Sequence, residues 1–323
     1  MTAGRRLHPA YVFLAPALSA ISAFFFVPVV ASVFLSLTDF DLYALAHRSN
    51  LRFVGAENYV HLLRDPLFWV ALKNTAYFVA VGGPLSIAAS LGAALLVTAP
   101  LVRFKTVFRT IFFLPVITTL VAVAVVWRYV YQPRFGLLNY GLAALGIGPV
   151  DWLGDPRWAM PSIILLAVWK NFGFNMVIFM AGLQSIPDRL YEAASIDGAR
   201  AWNQFRHVTL PMLAPTFLFV SLMTAIGYFQ LFAEPYVMTE GGPAHSTLSI
   251  VLLMYQHGFR WCNMGYAAAV AFVLFVIILS LTLVLMRLQS FAATLGPDGG
   301  PATDRTSAGA LPSAGSRTAR AAP

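Results

Sequence analysis

Lys170, Asn171 and Asn175 interrupt one apolar stretch of this sequence, and Tyr228, Gln230 and Glu234 lie in or at the end of another. Amides, a carboxylate, an ammonium and a phenol in such surroundings are costly to bury, so they point first to a pathway or binding site. Amides and carboxylates hydrogen-bond hydroxyl groups, and Trp169, Phe172 or Tyr228 could offer ring faces, a set suited to a hydroxyl-rich solute. The same residues could instead hold helices together. Asn and Gln bonding across helices contribute only about 0.6 kcal/mol each in a membrane, and Lys170 could simply pair with Glu234.

The sequence offers little for bond-making chemistry. It places no acid and base together, shows no Ser-His-Asp arrangement, and gives its six histidines no metal-ligand spacing. Cys262 is the single cysteine, which excludes an internal disulfide framework and a Cys-based metal cluster. No Gly-x-x-x-x-Gly-Lys-Ser/Thr loop is present to cradle ATP phosphates. The chain reads as no enzyme by itself, with no catalytic residues, no metal and no cofactor of its own. If ATP drives it, another chain must hydrolyse that ATP.

A second group of residues occupies a polar, mixed-charge loop from Gln184 to Pro211. Asp188 can cap a short helix over Arg189 to Ile196, and Ala193 and Ala194 are small enough for a partner surface to approach. Gly198 permits a left-handed turn, and Pro211 suits the first turn of the next membrane helix. Taken on physics alone, the loop could equally be a solvated connection rich in good helix formers.

The elements that position these residues follow from composition. Of 323 residues, 59% are apolar and only 11% charged, with a mean hydropathy of +0.73, whereas a soluble domain is about 25% charged. In lipid, backbone polar groups must bond within their own segment, so roughly 20 apolar residues in a helix make one crossing. Six stretches qualify: Tyr11 to Leu37, Asn74 to Val102, Thr110 to Trp127, Trp158 to Pro187, Val208 to Ala233 and Trp261 to Met286. The first is too long for the roughly 7–15-residue core of a cleaved signal. The net charge of +8 is scattered between apolar runs with no basic stripe, which argues against nucleic acid. With the N-terminus inside, twelve Lys and Arg flank the spans on the inner side against eight outside.

The expected fold is therefore all-α: a polytopic membrane protein with six transmembrane helices and both termini cytoplasmic. On this reading residues 1–10 are a cytoplasmic N-terminus, 11–290 the transmembrane domain with its loop at 184–211, and 291–323 a disordered cytoplasmic tail. That tail, from Gly296 onward, is rich in Gly, Ala, Pro, Ser and Thr without apolar periodicity. Outside, Asp65-Pro66 marks a turn before the second helix, and Trp152 and Trp158 fit interfacial positions. Thr239 to Thr247, with two glycines and a proline, reads first as a tight turn and second as a contact for an external protein.

The spacing Glu192-Ala193-Ala194, three residues, Gly198, nine residues, Val208, one residue, Leu210-Pro211 resembles the signature loop of membrane subunits in binding-protein-dependent ABC importers. Further stretches resemble the carbohydrate branch of that family, the maltose, lactose and glycerol-phosphate type. They are Phe53-Val54-Gly55 with Glu57-Asn58-Tyr59; Phe68-Trp69 with Lys73-Asn74-Thr75; Ala181-Gly182-Leu183-Gln184 with Ile186-Pro187; and Thr239 with Gly241-Gly242-Pro243 and Thr247. The resemblance spans roughly residues 10 to 290. It implies a cytoplasmic coupling helix between helices 4 and 5 that docks on an ATPase, with Glu192, Ala193, Ala194, Asp197 and Gly198 in that role. It implies a second permease chain, ATPase subunits with two nucleotide-binding domains holding ATP and Mg, and an extracytoplasmic solute-binding protein. It also implies residence in the inner membrane and transport of a sugar or polyol, or alternatively a glycerol-phosphate-type solute. A rival of another class is an ion-coupled secondary transporter, with Lys170 and Glu234 as coupling charges. No nucleic-acid partner is expected.

Overall fold

The computed structural model describes residues 9–41, 51–99 and 101–294. The expected tail from Gly296 and the first eight residues lie outside this range, and the last helix continues to Thr294, past the expected start of the tail at 291. The described residues are nearly all helical. Five helices are long and apolar enough to cross a membrane: Phe13–Ser36, Pro66–Thr98, Pro156–Gln184, Ala214–Met238 and Met264–Arg287. A bent pair, Lys105–Ile117 and Leu120–Val130, is long and apolar enough to make a sixth if its two halves count as one span, and it stands third in sequence order.

The second and third crossings differ from expectation. The second starts at Pro66 rather than Asn74, because Asp65 accepts a hydrogen bond from the Leu67 amide at 2.8 Å and Pro66 suits the first helical turn. The third, expected to be one straight helix, turns by 99° between its halves. Thr118 and Thr119 take extended backbone angles there, and Pro115 one turn earlier cannot donate to its own helix. Proline also explains three of the four described π-helical turns, Gln256–Arg260 being the exception. Ser22–Phe26, Phe78–Gly82 and Phe205–Thr209 each come just before a proline, Pro28, Pro84 or Pro211. Each ring would clash with the carbonyl four residues back, and a widened turn relieves the clash.

Pro156–Gln184 is the central element and packs against the later half of Pro66–Thr98 and against Lys105–Ile117. Gly173 makes the second contact possible: a Cβ there would collide with the Phe112 carbonyl, so the two backbones touch directly. The last span packs along Val27–Ser36 and along the fifth span. One core surrounds Tyr131, Ile163, Leu166 and Tyr228, and another surrounds Phe68, Phe229 and Tyr266.

Several of the sequence fragments singled out above tie loops to spans. Asn58 donates to the Ser36 and Thr38 carbonyls at 2.9 and 2.8 Å, and the Tyr59 hydroxyl shares a hydrogen bond with Ser36 Oγ. Asn74 donates to the His245 and Leu248 carbonyls, and the Ile250 amide donates to Thr75 Oγ1 at 3.0 Å. Thr239 to Thr247 is a tight turn closed by a 2.7 Å hydrogen bond between the Thr239 and Thr247 hydroxyls. Trp152 donates from its ring to Asn139 Oδ1 and packs near Tyr131 and Trp158.

Candidate functional site

The fifth span is broken at Gln230–Phe232, where Ala214–Phe229 ends and Ala233–Met238 begins. Pro235 has no N–H for the Leu231 carbonyl, and the Ser249 hydroxyl donates to that carbonyl at 2.6 Å instead. The break puts Gln230 and Glu234 in two different elements, although both reach one space. That space is a cavity of about 410 Å³ between the central span, the elbow of the third crossing and the broken span. Asn171, Asn175, Tyr228, Gln230 and Glu234 line it, together with Thr224 and the rings of Phe78, Phe174 and Phe232.

Within it, Asn175 donates to Thr224 Oγ1 at 3.0 Å. Glu234 is buried, and among the described residues it is the one charged side chain in the lining. The Tyr228 hydroxyl and Ser86 Oγ are buried beside each other, with Asn171 also within reach of Tyr228, but none of these contacts has the geometry of a well-formed hydrogen bond. Of the two, Tyr228 lines the cavity and can offer its hydroxyl to a polar ligand. Tyr228 is held from behind: its ring packs at 4.8 Å from that of Phe78 and against the bare backbone of Gly82.

Lys170 is placed elsewhere. It is buried, and its Nζ donates to the carbonyls of Pro115 and Thr118, each at 3.0 Å, and to that of Val116 at 3.4 Å. It does not line the cavity, and it meets Glu234 through space rather than as a contact ion pair. Trp169 and Phe172, considered above as stacking faces, belong to a second, apolar cavity of about 620 Å³ inside the elbow. Sequence reasoning missed Ser86, Thr224, Phe78, Phe174 and Phe232. The signal for Thr224 was its position four residues before Tyr228, one turn away on the same face.

The loop after the central span forms the helix Asp188–Ile196. Its N-cap is Pro187, so Asp188 sits in the first turn, where its charge favours the helix dipole, rather than capping as expected. At the other end Gly198 takes φ +79°, the Gly198 amide donates to the Ser195 carbonyl at 3.0 Å, and the Ala199 amide donates to the Ala194 carbonyl at 2.9 Å. This is the paired closure that needs a left-handed residue after a helix. Glu192, Ala193, Asp197 and Gly198 are exposed and Ala194 is half-buried. The hydroxyls of Tyr191 and Thr209, 3.0 Å apart, tie the helix to the start of the fifth span.

Nearly all-helical described residues with five or six candidate crossings, a polar cavity among them and an exposed helix before the fifth span define a polytopic membrane permease. The family model for the inner membrane component of binding-protein-dependent transport systems matches residues 91–292. The lactose transport system permease protein LacF of Rhizobium radiobacter is 39% identical over 288 residues, covering 88% of this chain and 93% of that protein. The trehalose/maltose transport system permease protein MalF of Thermococcus litoralis is 33% identical over 281 residues, covering 87% and 93%. One chain of a bacterial alginate ABC transporter, solved in complex with an alginate-bound periplasmic protein, superposes with a TM-score of 0.74 at 22% identity, covering 88% of this chain and 94% of its own. The last of these speaks for the fold alone. The chain belongs to the family of binding-protein-dependent transport inner membrane components, and it is a multi-pass permease subunit of an ABC transporter in the inner membrane.

Proposed function

We propose that this chain forms the translocation pathway for a sugar or related polyol in an ATP-driven importer, and that the Asp188–Ile196 helix couples it to ATP hydrolysis by separate subunits. The observation that carries the reading is the intramembrane cavity. It offers two side-chain amides of the central span, Gln230, a buried carboxyl group and the hydroxyls of Tyr228 and Thr224 between aromatic rings, the partners a ring of hydroxyl groups needs. The names of the relatives, which include lactose, trehalose/maltose and arabinooligosaccharide permeases, support the same solute class. The polar lining has no cation of its own to pair with a phosphate ester, which weighs against the glycerol-phosphate alternative. The family match and the engagement of Lys170 by three carbonyls both weigh against an ion-coupled mechanism.

In this reading the termini and the Asp188–Ile196 helix face the cytoplasm. Two nucleotide-binding domains of partner subunits hold ATP with Mg, a second permease chain completes the pathway, and an extracytoplasmic solute-binding protein delivers the solute. The exposed Glu192, Ala193, Asp197 and Gly198 then form the docking face, beside Ile196 and Trp202, which are 86% and 68% exposed. Large apolar side chains left in the open on a polar loop fit a protein partner. Closure of the ATPase pair would push on this helix, and the tie from Tyr191 to Thr209 would pass the displacement to the fifth span, which forms one wall of the cavity.

The test is uptake into proteoliposomes holding the whole transporter, with and without internal ATP, for wild type, Glu192→Lys and Gly198→Pro. Uptake that needs ATP and is lost in both variants, while they still insert, supports the reading. Uptake on an ion gradient without ATP, indifferent to both substitutions, would sink it.

A further inference from the structure

Four aromatic rings run in unbroken contact from the cavity to the surface. Phe232 lines the cavity and stacks on Tyr236, with centroids 5.2 Å apart and planes 15° from parallel. Tyr255 meets both rings, at 5.2 and 5.3 Å. It passes the contact on to Phe259 at 5.5 Å, and Phe259 is 69% exposed.

The rings come from two elements. Phe232 and Tyr236 flank and follow the break of the fifth span, and Tyr255 and Phe259 belong to the helical segment Ile250–Arg260 that precedes the last span. That segment follows the end of the fifth span, whereas the Asp188–Ile196 helix precedes its start, so the outer ring lies on the membrane face opposite the coupling helix. Aromatic residues at a lipid interface need only an apolar body and a wet edge; they have no need to touch one another or to reach an internal cavity. This series does both.

A saccharide presents flat C–H faces rimmed by hydroxyls, and such faces settle on aromatic rings through many weak contacts. Weak, repeated binding is what passage requires, since a solute must be held well enough to enter and loosely enough to leave. We propose that Phe259, Tyr255, Tyr236 and Phe232 form a stacking track that guides the saccharide from the outer face into the cavity. The track rests on the sugar-importer reading above. The tyrosine hydroxyls supply hydrogen-bonding edges beside two of the four faces, so a hydroxylated ring can slide without losing all its polar partners at once.

The test uses vesicles holding the whole transporter with its binding protein, and radiolabelled lactose and maltose as probes. Phe259→Leu and Tyr255→Leu keep apolar bulk but remove the ring. Each should slow ATP-dependent uptake roughly fivefold, as loss of one ring contact predicts, with insertion and binding-protein-stimulated ATP hydrolysis unchanged. Phe259→Trp and Tyr255→Phe, which keep a ring, should transport at close to the wild-type rate. Leu variants that transport like wild type would overturn the track and leave the sugar reading standing, and ring-keeping variants as slow as the Leu ones would also overturn it, in favour of a packing role. Wild-type vesicles that accumulate neither sugar would overturn the sugar reading, and the track with it.

Discussion

The Nζ of Lys170 donates to the Thr118 carbonyl at 3.0 Å, across 52 residues of chain. The elbow of the third crossing ends a helix inside the apolar region and frees the carbonyls of its last turn, which lipid cannot satisfy. Lys170 supplies three donors on one flexible stem and sits at the negative end of that helix. The lysine that looked like a solute ligand in the sequence is thereby engaged in holding the broken span against the central one, and the elbow in turn places Val116 and Leu120 in the cavity wall.

Lys170→Met should therefore act on stability before it acts on solute choice. It leaves buried carbonyls unpaired, each costing about 1–3 kcal/mol. The purified variant should unfold at a lower temperature and yield less inserted protein, while the relative rates for different solutes stay as in wild type. A change in solute preference without loss of stability would show that the ammonium does reach the solute.

What could be read in advance divides along a physical line. Apolar run length located the five long candidate crossings and the bent pair, because the bilayer sets a minimum length that sequence alone reveals. The Gly198 closure was legible, because few residues other than glycine tolerate φ +79°. The elbow was hidden because Thr110 to Trp127 is uniformly apolar, and only Pro115 and the Thr118-Thr119 pair hinted at a break. The break at Gln230–Phe232 was hidden because Pro235 needs Ser249 to satisfy the freed carbonyl, a partner 18 residues away. Ser86 carried no local sign at all, since its interest lies in facing Tyr228 from another span.

The contact at Gly173 is a second point of rigidity. Gly173→Val would drive its side chain into the Phe112 carbonyl, and backbone there can move only by separating the central span from the elbow. Overpacking of this kind costs about 1–3 kcal/mol or more. The expected result is a fall in melting temperature and in uptake together. Wild-type stability in this variant would mean that the two helices do not pack as closely as described.

Just before the N-terminal end of the last span, the His257 ring packs against Tyr266 at 4.2 Å and Trp261 at 4.5 Å, and His61 meets Tyr266 at 5.1 Å. Tyr266 donates its hydroxyl to Asp65 Oδ2 at 2.8 Å. Burial pushes the His257 pKa down; the Asp65 carboxylate opposes this and His61 adds to it. A histidine whose folded pKa is lowered stabilises the fold while neutral, so its contribution is complete above its ordinary value of about 6.5. It is lost as pH falls from there through the lowered folded value. Melting temperature should drop as pH falls below about 6.5, and His257→Phe should flatten that dependence. An unchanged slope in the variant would place the titration elsewhere.

Tyr228→Phe separates a binding hydroxyl from a structural one. The Tyr228 hydroxyl is buried with only Ser86 and Asn171 within reach and no well-formed hydrogen bond, so removing it costs the fold little and leaves the ring packed on Phe78 and Gly82. The variant should be as stable as wild type or more stable by up to about 1 kcal/mol. If the hydroxyl finds its partner only in the solute, uptake should fall several-fold even so. Asn175→Ala serves as the contrast, since it strips Thr224 of its donor and should lower stability and uptake together. Melting curves and initial uptake rates for the two variants, measured side by side, decide the matter. A Tyr228→Phe protein that gains stability and transports normally removes this hydroxyl from the pathway, whereas stability gained with transport lost places it on the solute.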